Sequence, residues 1–215
     1  MAPLAISGYV LAGGKSSRMG RDKALLELDG HPLVEHAVRK LRTFCSDVHI
    51  LSSQPELEIF APLVADIHPG CGPLGGIETA LLHATHAWSI FLPVDMPFLE
   101  ADYLAQWAAG VIAARDARLA LFTVGTRPQP TLCMLHRELT PFVASAMARG
   151  EFKLNPVLEG AAQSLVTDKR LTIDTVFLNR QVPEGDMFTN LNTPEEFALG
   201  RQRWKAETLP TGSAS

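Results

Sequence analysis

Lys15, Arg18 and Lys23 follow the glycine pair Gly13-Gly14 within ten residues, with a further cation, Arg21, between the last two. Lys and Arg supply the charge and the hydrogen-bond donors that a triphosphate needs. Glycines lack a Cβ, so the backbone N–H groups around them can come close to a bound group. The apolar run 6–12 just ahead reads as a buried strand, which hangs this basic loop from a strand end. A strand-to-helix turn with a solvated basic rim would use the same residue types. A glycine pair, a cluster of cations and a strand end inside fifteen residues favour a loop that handles phosphate. A second stretch, 89–95, is a buried strand that runs out at a carboxylate, Asp95. The C-terminal ends of strands form the crest where open α/β sheets bind ligands. Asp95 is therefore either a ligand group or the cap of a helix that opens near Pro97 with Glu100 and Asp102 behind it.

Two phosphate motifs come close to these residues. The Walker pattern ends correctly at Gly14-Lys15-Ser16, but its first glycine falls on Tyr9, and Gly8 lies one residue early inside the strand. That reading fails on register. Gly70, Gly72 and Gly75 satisfy the dinucleotide fingerprint, with Asp95 about 20 residues later as its acid. Against it, Pro69 and Pro73 remove backbone donors from the loop meant to bind pyrophosphate, and His68-Pro69 is a poor end for a central strand. It would also leave the basic glycine loop unused.

The elements that must position these residues follow from periodicity. Residues 25–28 and 32–33 read as a short connection, 34–44 as an amphipathic helix and 48–52 as a strand, closing a right-handed parallel unit. Residues 55–60 read as a weak helix and 63–66 as a third strand ending in Asp66. A helix is expected over 77–87, a strand over 89–95, and a helix from Pro97 to about 116. A fifth strand covers 119–124, a loop 125–130, and an antiparallel strand 131–136. Residues 138–149 read as a helix stopped by Gly150. The region 151–156 is weak, with Pro156 interrupting any helix, and 171–178 reads as an edge strand. Asn192 or Thr193 can cap a last helix reaching about 206, with Pro194, Glu195 and Glu196 in its first turn. The Pro-, Gly- and Ser-rich end, 207–215, reads as a disordered tail after one domain spanning 1–206.

Composition sets outer bounds. A chain of 215 residues suits one α/β domain with a sizeable core, and 47% hydrophobic with 20% charged residues is ordinary for a globular protein. The net charge of −4 argues against a nucleic-acid partner. Cys45, Cys71 and Cys133 are far apart and form no C-x-x-C pair, so buried free thiols in a reducing cytoplasm are expected. No cationic signal segment and no run of membrane-spanning length is present, so a cytoplasmic location is expected. His83 and His86, three apart on one helix, have no partner carboxylate or cysteine nearby in sequence and no H-E-x-x-H pattern, and read as a structural or surface pair.

Residues 11–23, Leu-Ala-Gly-Gly-Lys-Ser-Ser-Arg-Met-Gly-Arg-Asp-Lys, match L-A-G-G-x-S-x-R-M-G-x-x-K throughout. This resembles the nucleotidyltransferases that join a nucleotide to a phosphorylated small molecule. With Asp22-Lys23 followed by Leu25-Leu26-Glu27-Leu28-Asp29-Gly30, it is most similar to the molybdenum cofactor guanylyltransferases (MobA-type). The resemblance extends to Glu196. It covers Gly72-Pro73-Leu74-Gly75-Gly76, the metal-aspartate element 91–97, Pro130-Thr131-Leu132 and the stretch from Asn190 through Asn192 to Glu196. It implies an α/β fold, a three-layer αβα Rossmann-like and mostly parallel sheet of the nucleotide-diphospho-sugar transferase type, in a single domain. It implies transfer of GMP from GTP to the phosphate of the molybdopterin (molybdenum) cofactor, with Mg²⁺ held by Asp95. Lys23, Arg18 and Asp95 would be catalytic, and Gly13, Gly14, Lys15, Arg18 and Lys23 would cradle the phosphates. Leu11, Ala12 and Gly13, with Asp66, Gly72, Pro73 and Leu74, would contact the nucleoside, and Asn190 and Asn192 would lie near the acceptor. The family's basic residues after Gly150 are reduced here to Lys153. Molybdoenzymes or cofactor-biosynthesis proteins are the expected partners of a monomer. A CTP- or sugar-phosphate-dependent nucleotidyltransferase is the nearest alternative, followed by a nicotinamide-dependent oxidoreductase and a catalytically idle pterin-binding homologue.

Overall fold

The computed structural model describes residues 2–13 and 22–208. Nine strands and seven α-helices alternate through them: β1 (Leu4–Leu11), β2 (Glu27–Leu28), β3 (His31–Pro32), α1 (Leu33–Arg42), β4 (Cys45–Leu51), β5 (Leu63–Val64), α2 (Pro73–His83), β6 (Trp88–Pro93), α3 (Ala101–Ala113), β7 (Leu119–Val124), β8 (Arg127–His136), α4 (Thr140–Ala148), α5 (Leu154–Lys169), α6 (Ile173–Val176), β9 (Phe177–Val182) and α7 (Pro194–Thr208). Seven strands form one sheet in the order β5-β4-β1-β6-β8-β7-β9. β8 alone among them runs antiparallel to its neighbours β6 and β7. Among the described residues no helix is long and apolar enough to cross a membrane.

Period-2 alternation sorts each central strand onto two cores. Ile6, Val10, Ile90, Leu92, Phe122 and Met134 face one layer with Leu33, Val34 and Leu41 of α1 and Leu104 and Trp107 of α3. Tyr9, Phe91, Leu121, Cys133 and Leu135 face the other, with Leu74 and Ile77 of α2, Val143 of α4 and Leu158 of α5. Both faces being covered makes the central strands near-continuous apolar runs, as buried parallel strands must be. The result is a three-layer αβα domain. Gly8 permits close packing of α1 and β4 on β1: a Cβ there would lie 3.0 Å from Cys45 Sγ and 3.3 Å from Leu41 Cδ1.

Several expectations are corrected. Residues 25–33 are not a bare connection: β2 and β3 form a hairpin whose turn residues Asp29 and Gly30 both have positive φ, 54° and 76°. That is the geometry a two-residue Asp-Gly hairpin selects. The third strand stops at Val64, so Asp66 lies beyond it. The 77–87 helix begins four residues earlier, because Gly72-Pro73 supplies a glycine N-cap and a proline at the first helical position, and ends at His83. Residues 127–130 are strand, not loop, since Gly125 (φ 57°) turns β7 directly into β8. Pro156 does not break a helix. It sits in the first turn of α5, where the N–H has no intrahelical partner anyway, and Leu154, Val157, Leu158, Ala161, Ala162 and Leu165 supply a buried stripe. The strand expected over 171–178 is replaced by α6, and the edge strand lies further on at Phe177–Val182. The last helix continues to Thr208, beyond the boundary expected at 206, and residues 209–215 lie outside the described residues. Cys45 and Cys133 are buried, but Cys71 is only partly so.

The end of β8 makes the fold acid-sensitive. His136 accepts a hydrogen bond at Nδ1 from the Glu138 N–H (3.3 Å). Burial, reinforced by the Arg118 cation, pulls its pKa down from 6.5 to about 4. The native state then resists a proton that the unfolded chain accepts. Stability is therefore intact above pH 6.5 and lost as the pH falls from there toward 4. Burial pulls His36 and His49 in the same direction. His136→Asn keeps an acceptor near Nδ1 and should flatten part of the fall in urea midpoint between pH 6.5 and 4.5. An unchanged slope would show that His136 contributes none of it.

Candidate active site

The sheet's C-terminal crest is level where it matters. Leu11 of β1 lies in register with Leu51 of β4 and Pro93 of β6, so the three chains leave the sheet side by side. Leu11 places its carbonyl on the Val94 N–H (3.3 Å), which ties the start of the glycine loop to the strand that delivers Asp95. Gly13 runs close past β4: a Cβ there would lie 3.6 Å from the Leu51 carbonyl oxygen. Gly14, Lys15 and Arg18 lie outside the described residues.

The chain re-enters the crest at Asp22, whose Oδ1 accepts the Ala24 N–H (2.9 Å) and caps a short 3-10 turn, Lys23–Leu25. That cap aims Lys23 across the crest. Its Nζ donates to Asp95 Oδ2 at 2.9 Å and to Asn192 Oδ1 at 2.8 Å. The Lys23 and Asp95 side chains are 14% and 23% exposed, so water screens this ion pair less than one on the open surface. The Asp95 carbonyl accepts the Leu191 N–H (2.9 Å), which docks the 190–192 segment against Asp95. Thr193 then caps α7: its Oγ1 accepts the Glu196 N–H, while Glu196 Oε2 accepts the Asn192 and Thr193 N–H groups. This reciprocal box holds Asn192 rigid beside Lys23. Asp95 is not a helix cap, since α3 starts after Glu100 and carries no side-chain cap.

The donor set suits a hard divalent cation. Among the described residues, Asn190 Oδ1 and Asp22 Oδ2 are buried oxygens with no hydrogen-bond partner, and both belong to segments that meet at the Lys23–Asp95 pair. Among the described residues no three His, Cys, Asp or Glu side chains gather as a metal cage. Mg²⁺ does not need one, because it binds through one or two carboxylates with phosphate oxygens and water.

A second group of predicted residues gathers at the start of α2. Gly72 adopts φ 66°, ψ −157°, a conformation open to glycine, and turns the chain into Pro73 and Leu74. The Asp66 carboxylate lies over this first turn: Cβ atoms on Gly75 and Gly76 would come within 3.6 and 3.1 Å of its oxygens. Burial raises the pKa of Asp66. Thr79 fixes the loop, accepting the Ile67 N–H at Oγ1 (3.0 Å) and donating to the Gly75 carbonyl (2.9 Å).

The dinucleotide fingerprint over Gly70 to Gly75 has no central strand in front of it. The preceding strand, β5, is two residues long and sits at the sheet edge. His83 and His86 bond Tyr9 Oη (3.0 Å) and Ser7 Oγ (3.1 Å), and burial with the nearby Asp47 raises the Tyr9 pKa. Two supporting roles were not given by motif reading. Asp22 stands inside the family motif, but its role as the cap that aims Lys23 shows only in the structure. Lys40, which donates to the Pro97 carbonyl, stands at an ordinary polar helix position and gave no signal.

A doubly wound, mostly parallel sheet with a lysine and an aspartate facing each other over its crest is the architecture of a small-molecule nucleotidyltransferase. The family model for the MobA-like NTP transferase domain matches residues 8–166, and the chain belongs to that family. It is 34% identical over 202 residues to the molybdenum cofactor guanylyltransferase of Vibrio cholerae, covering 92% of each chain. The enzyme of that name from Yersinia pestis is 32% identical over 209 residues, covering 94% of this chain and 98% of that one. The crystal structure of molybdopterin-guanine dinucleotide biosynthesis protein A from Archaeoglobus fulgidus superposes with a TM-score of 0.67 at 22% identity. It covers 93% of this chain and 99% of its own, and shares the fold.

Proposed function

We propose that the chain transfers GMP from GTP to the phosphate of molybdopterin or its molybdenum-bearing form, in the cytoplasm and as a monomer, with molybdoenzymes or cofactor-biosynthesis proteins receiving the product. The reading is carried by the Lys23–Asp95 pair (2.9 Å) at the crest where β1 and β6 end, in a chain similar over nearly its whole length to guanylyltransferases. An oxygen of the pterin phosphate attacks the α-phosphorus of GTP, the bond from that phosphorus to the β-phosphate bridging oxygen breaks, and pyrophosphate leaves.

Such a reaction asks the protein for in-line placement and charge neutralisation. Lys23, aimed by the Asp22 cap, exchanges Asp95 and Asn192 for an α-phosphate oxygen and stabilises the charge gathering there. Arg18 and Lys15, with the Gly13-Gly14 backbone, neutralise the leaving group. Asp95 would hold Mg²⁺, with Asn190 and Asp22 supplying nearby oxygens. When bound, the cation polarises phosphate oxygens as a Lewis acid. Leu11, Ala12, Gly13, Gly72, Pro73 and Leu74 border the nucleoside and Asp66 reads it, while Asn190 and Asn192 border the acceptor. Pyrophosphate release should require GTP and molybdopterin together. The assay is run with each of the four nucleoside triphosphates, with and without the pterin. Release with CTP or with a sugar phosphate instead would assign the chain to another branch of the family.

A further inference from the structure

Asp95 is held by the turn that follows it, and that turn is short of donors because Pro97 has no N–H. Its carbonyls therefore carry the tethering. The Asp95 carbonyl accepts from Leu191 N–H, and the Met96 carbonyl from Leu99 N–H within the turn (3.5 Å). The Pro97 carbonyl accepts from the ammonium of Lys40, in the last turns of α1. Met96, Phe98 and Leu99 are buried, with the Phe98 ring against Trp204 and the Arg203 guanidinium. Apolar packing of this kind is non-directional and lets a turn slide. A hydrogen bond from a charged donor is directional and about twice as strong as a neutral one.

Lys40 is an unexpected residue for its place. Its neighbours are accounted for: Arg39 pairs with Glu35 (2.6 Å) and Arg42 donates to the Phe60 carbonyl (2.6 Å). Lys40 is mostly buried, and among the described residues no carboxylate stands within ion-pair distance of it. Burying an ammonium without a counter-ion is costly, and a methionine would fill the same space without that cost. What the charge supplies is the bond to Pro97, two residues from Asp95.

We propose that Lys40 is a positioning residue for Asp95, fixing the carboxylate over the crest through the Pro97 carbonyl. The proposal rests on Asp95 holding the divalent cation, so its test treats the two separately. Mn²⁺ binding to the full chain is titrated by electron paramagnetic resonance in the presence of a non-hydrolysable GTP analogue. The chains compared are wild type, Lys40→Met, Lys40→Gln, Lys40→Arg and Asp95→Asn. Groups that orient a metal ligand typically change affinity 10- to 100-fold when removed, so Lys40→Met should weaken Mn²⁺ by about tenfold or more. Lys40→Gln, which keeps a donor without charge, should fall between, and Lys40→Arg should recover most of the affinity. The KM for GTP should change less than the Mn²⁺ requirement, which a general loosening of the fold would not produce. If Lys40→Met fails to fold, Lys40→Gln decides. Wild-type Mn²⁺ affinity in the Lys40 variants, with loss in Asp95→Asn, overturns the role of Lys40 alone. Undiminished affinity in Asp95→Asn overturns the metal role of Asp95 and the proposal with it.

Discussion

Lys23→Ala should lower turnover by about 10²-fold or more, the usual consequence of removing a group that stabilises developing charge. The amine now sits 2.9 Å from Asp95 and 2.8 Å from Asn192, both oxygen acceptors that an α-phosphate oxygen would replace, while a cation would take the amine's place on Asp95. Lysine is a compact charge on a flexible stem, so it can exchange partners without moving the backbone. The sequence suggests a surface-loop lysine whose loss barely touches folding, but the structure places it in a partly buried pair at 14% exposure. Its removal leaves Asp95 without its cation, so a modest drop in melting temperature should accompany the catalytic loss. Single-turnover rates at saturating GTP separate the two, because a folded, GTP-saturated variant that is still slow has lost transition-state stabilisation. Turnover near that of wild type would remove Lys23 from the chemistry.

The candidate site residues were legible because each stands at a strand end or turn whose residue types are restricted. Gly13 follows β1, Asp95 follows β6, and Gly72-Pro73 opens α2, all readable from glycine, proline and apolar runs. Thr193 was legible as one of two cap candidates, and Glu196 three residues later decided it. What could not be read was anything set by partners distant in sequence. Lys23 and Asn192 are 169 residues apart, and no local pattern announces that they touch. Lys40 and Pro97 are 57 apart, and a lysine on the polar side of α1 looks solvated until the turn after β6 is packed over it.

Element boundaries failed for local reasons of competing strength. In α5 the apolar stripe beginning at Leu154 outweighed Pro156, since a first-turn proline forfeits no helical bond. In β9, Asn179, Arg180 and Gln181 hide a strand from any hydrophobicity pattern, because an edge strand can expose polar side chains and still pair with β7 along its inner side. The Asp-Gly pair at 29–30 was a hairpin signal flanked by strands too short to register.

The preference for guanine should be large, and Asp66 should carry much of it. Its carboxylate lies over Gly75 and Gly76 at the start of α2, beside the Gly72-Pro73-Leu74 turn, and a Cβ on Gly76 would crowd it at 3.1 Å. Burial is the cause of its raised pKa, and among the described residues it receives no hydrogen bond. Its acceptor capacity is thus unspent. An ionised carboxylate accepts only. Guanine offers it two donors side by side, N1–H and the 2-amino group, whereas cytosine would turn the lone pairs of O2 and N3 toward it. Sites that leave buried polar groups unmatched reject an analogue by about 10⁴-fold or more, so kcat/KM for GTP should exceed that for CTP by that order. The competing role is a hydrogen bond from the ribose hydroxyls, which both nucleotides carry. Asp66→Ala distinguishes the roles when kcat/KM is measured with each nucleotide. Base reading predicts that the GTP preference shrinks by orders of magnitude, chiefly through loss of GTP activity. Ribose binding predicts that both substrates weaken by the same factor and the preference stands. A wild-type chain that favours CTP would overturn the guanylyltransferase assignment itself, whichever way Asp66 behaves.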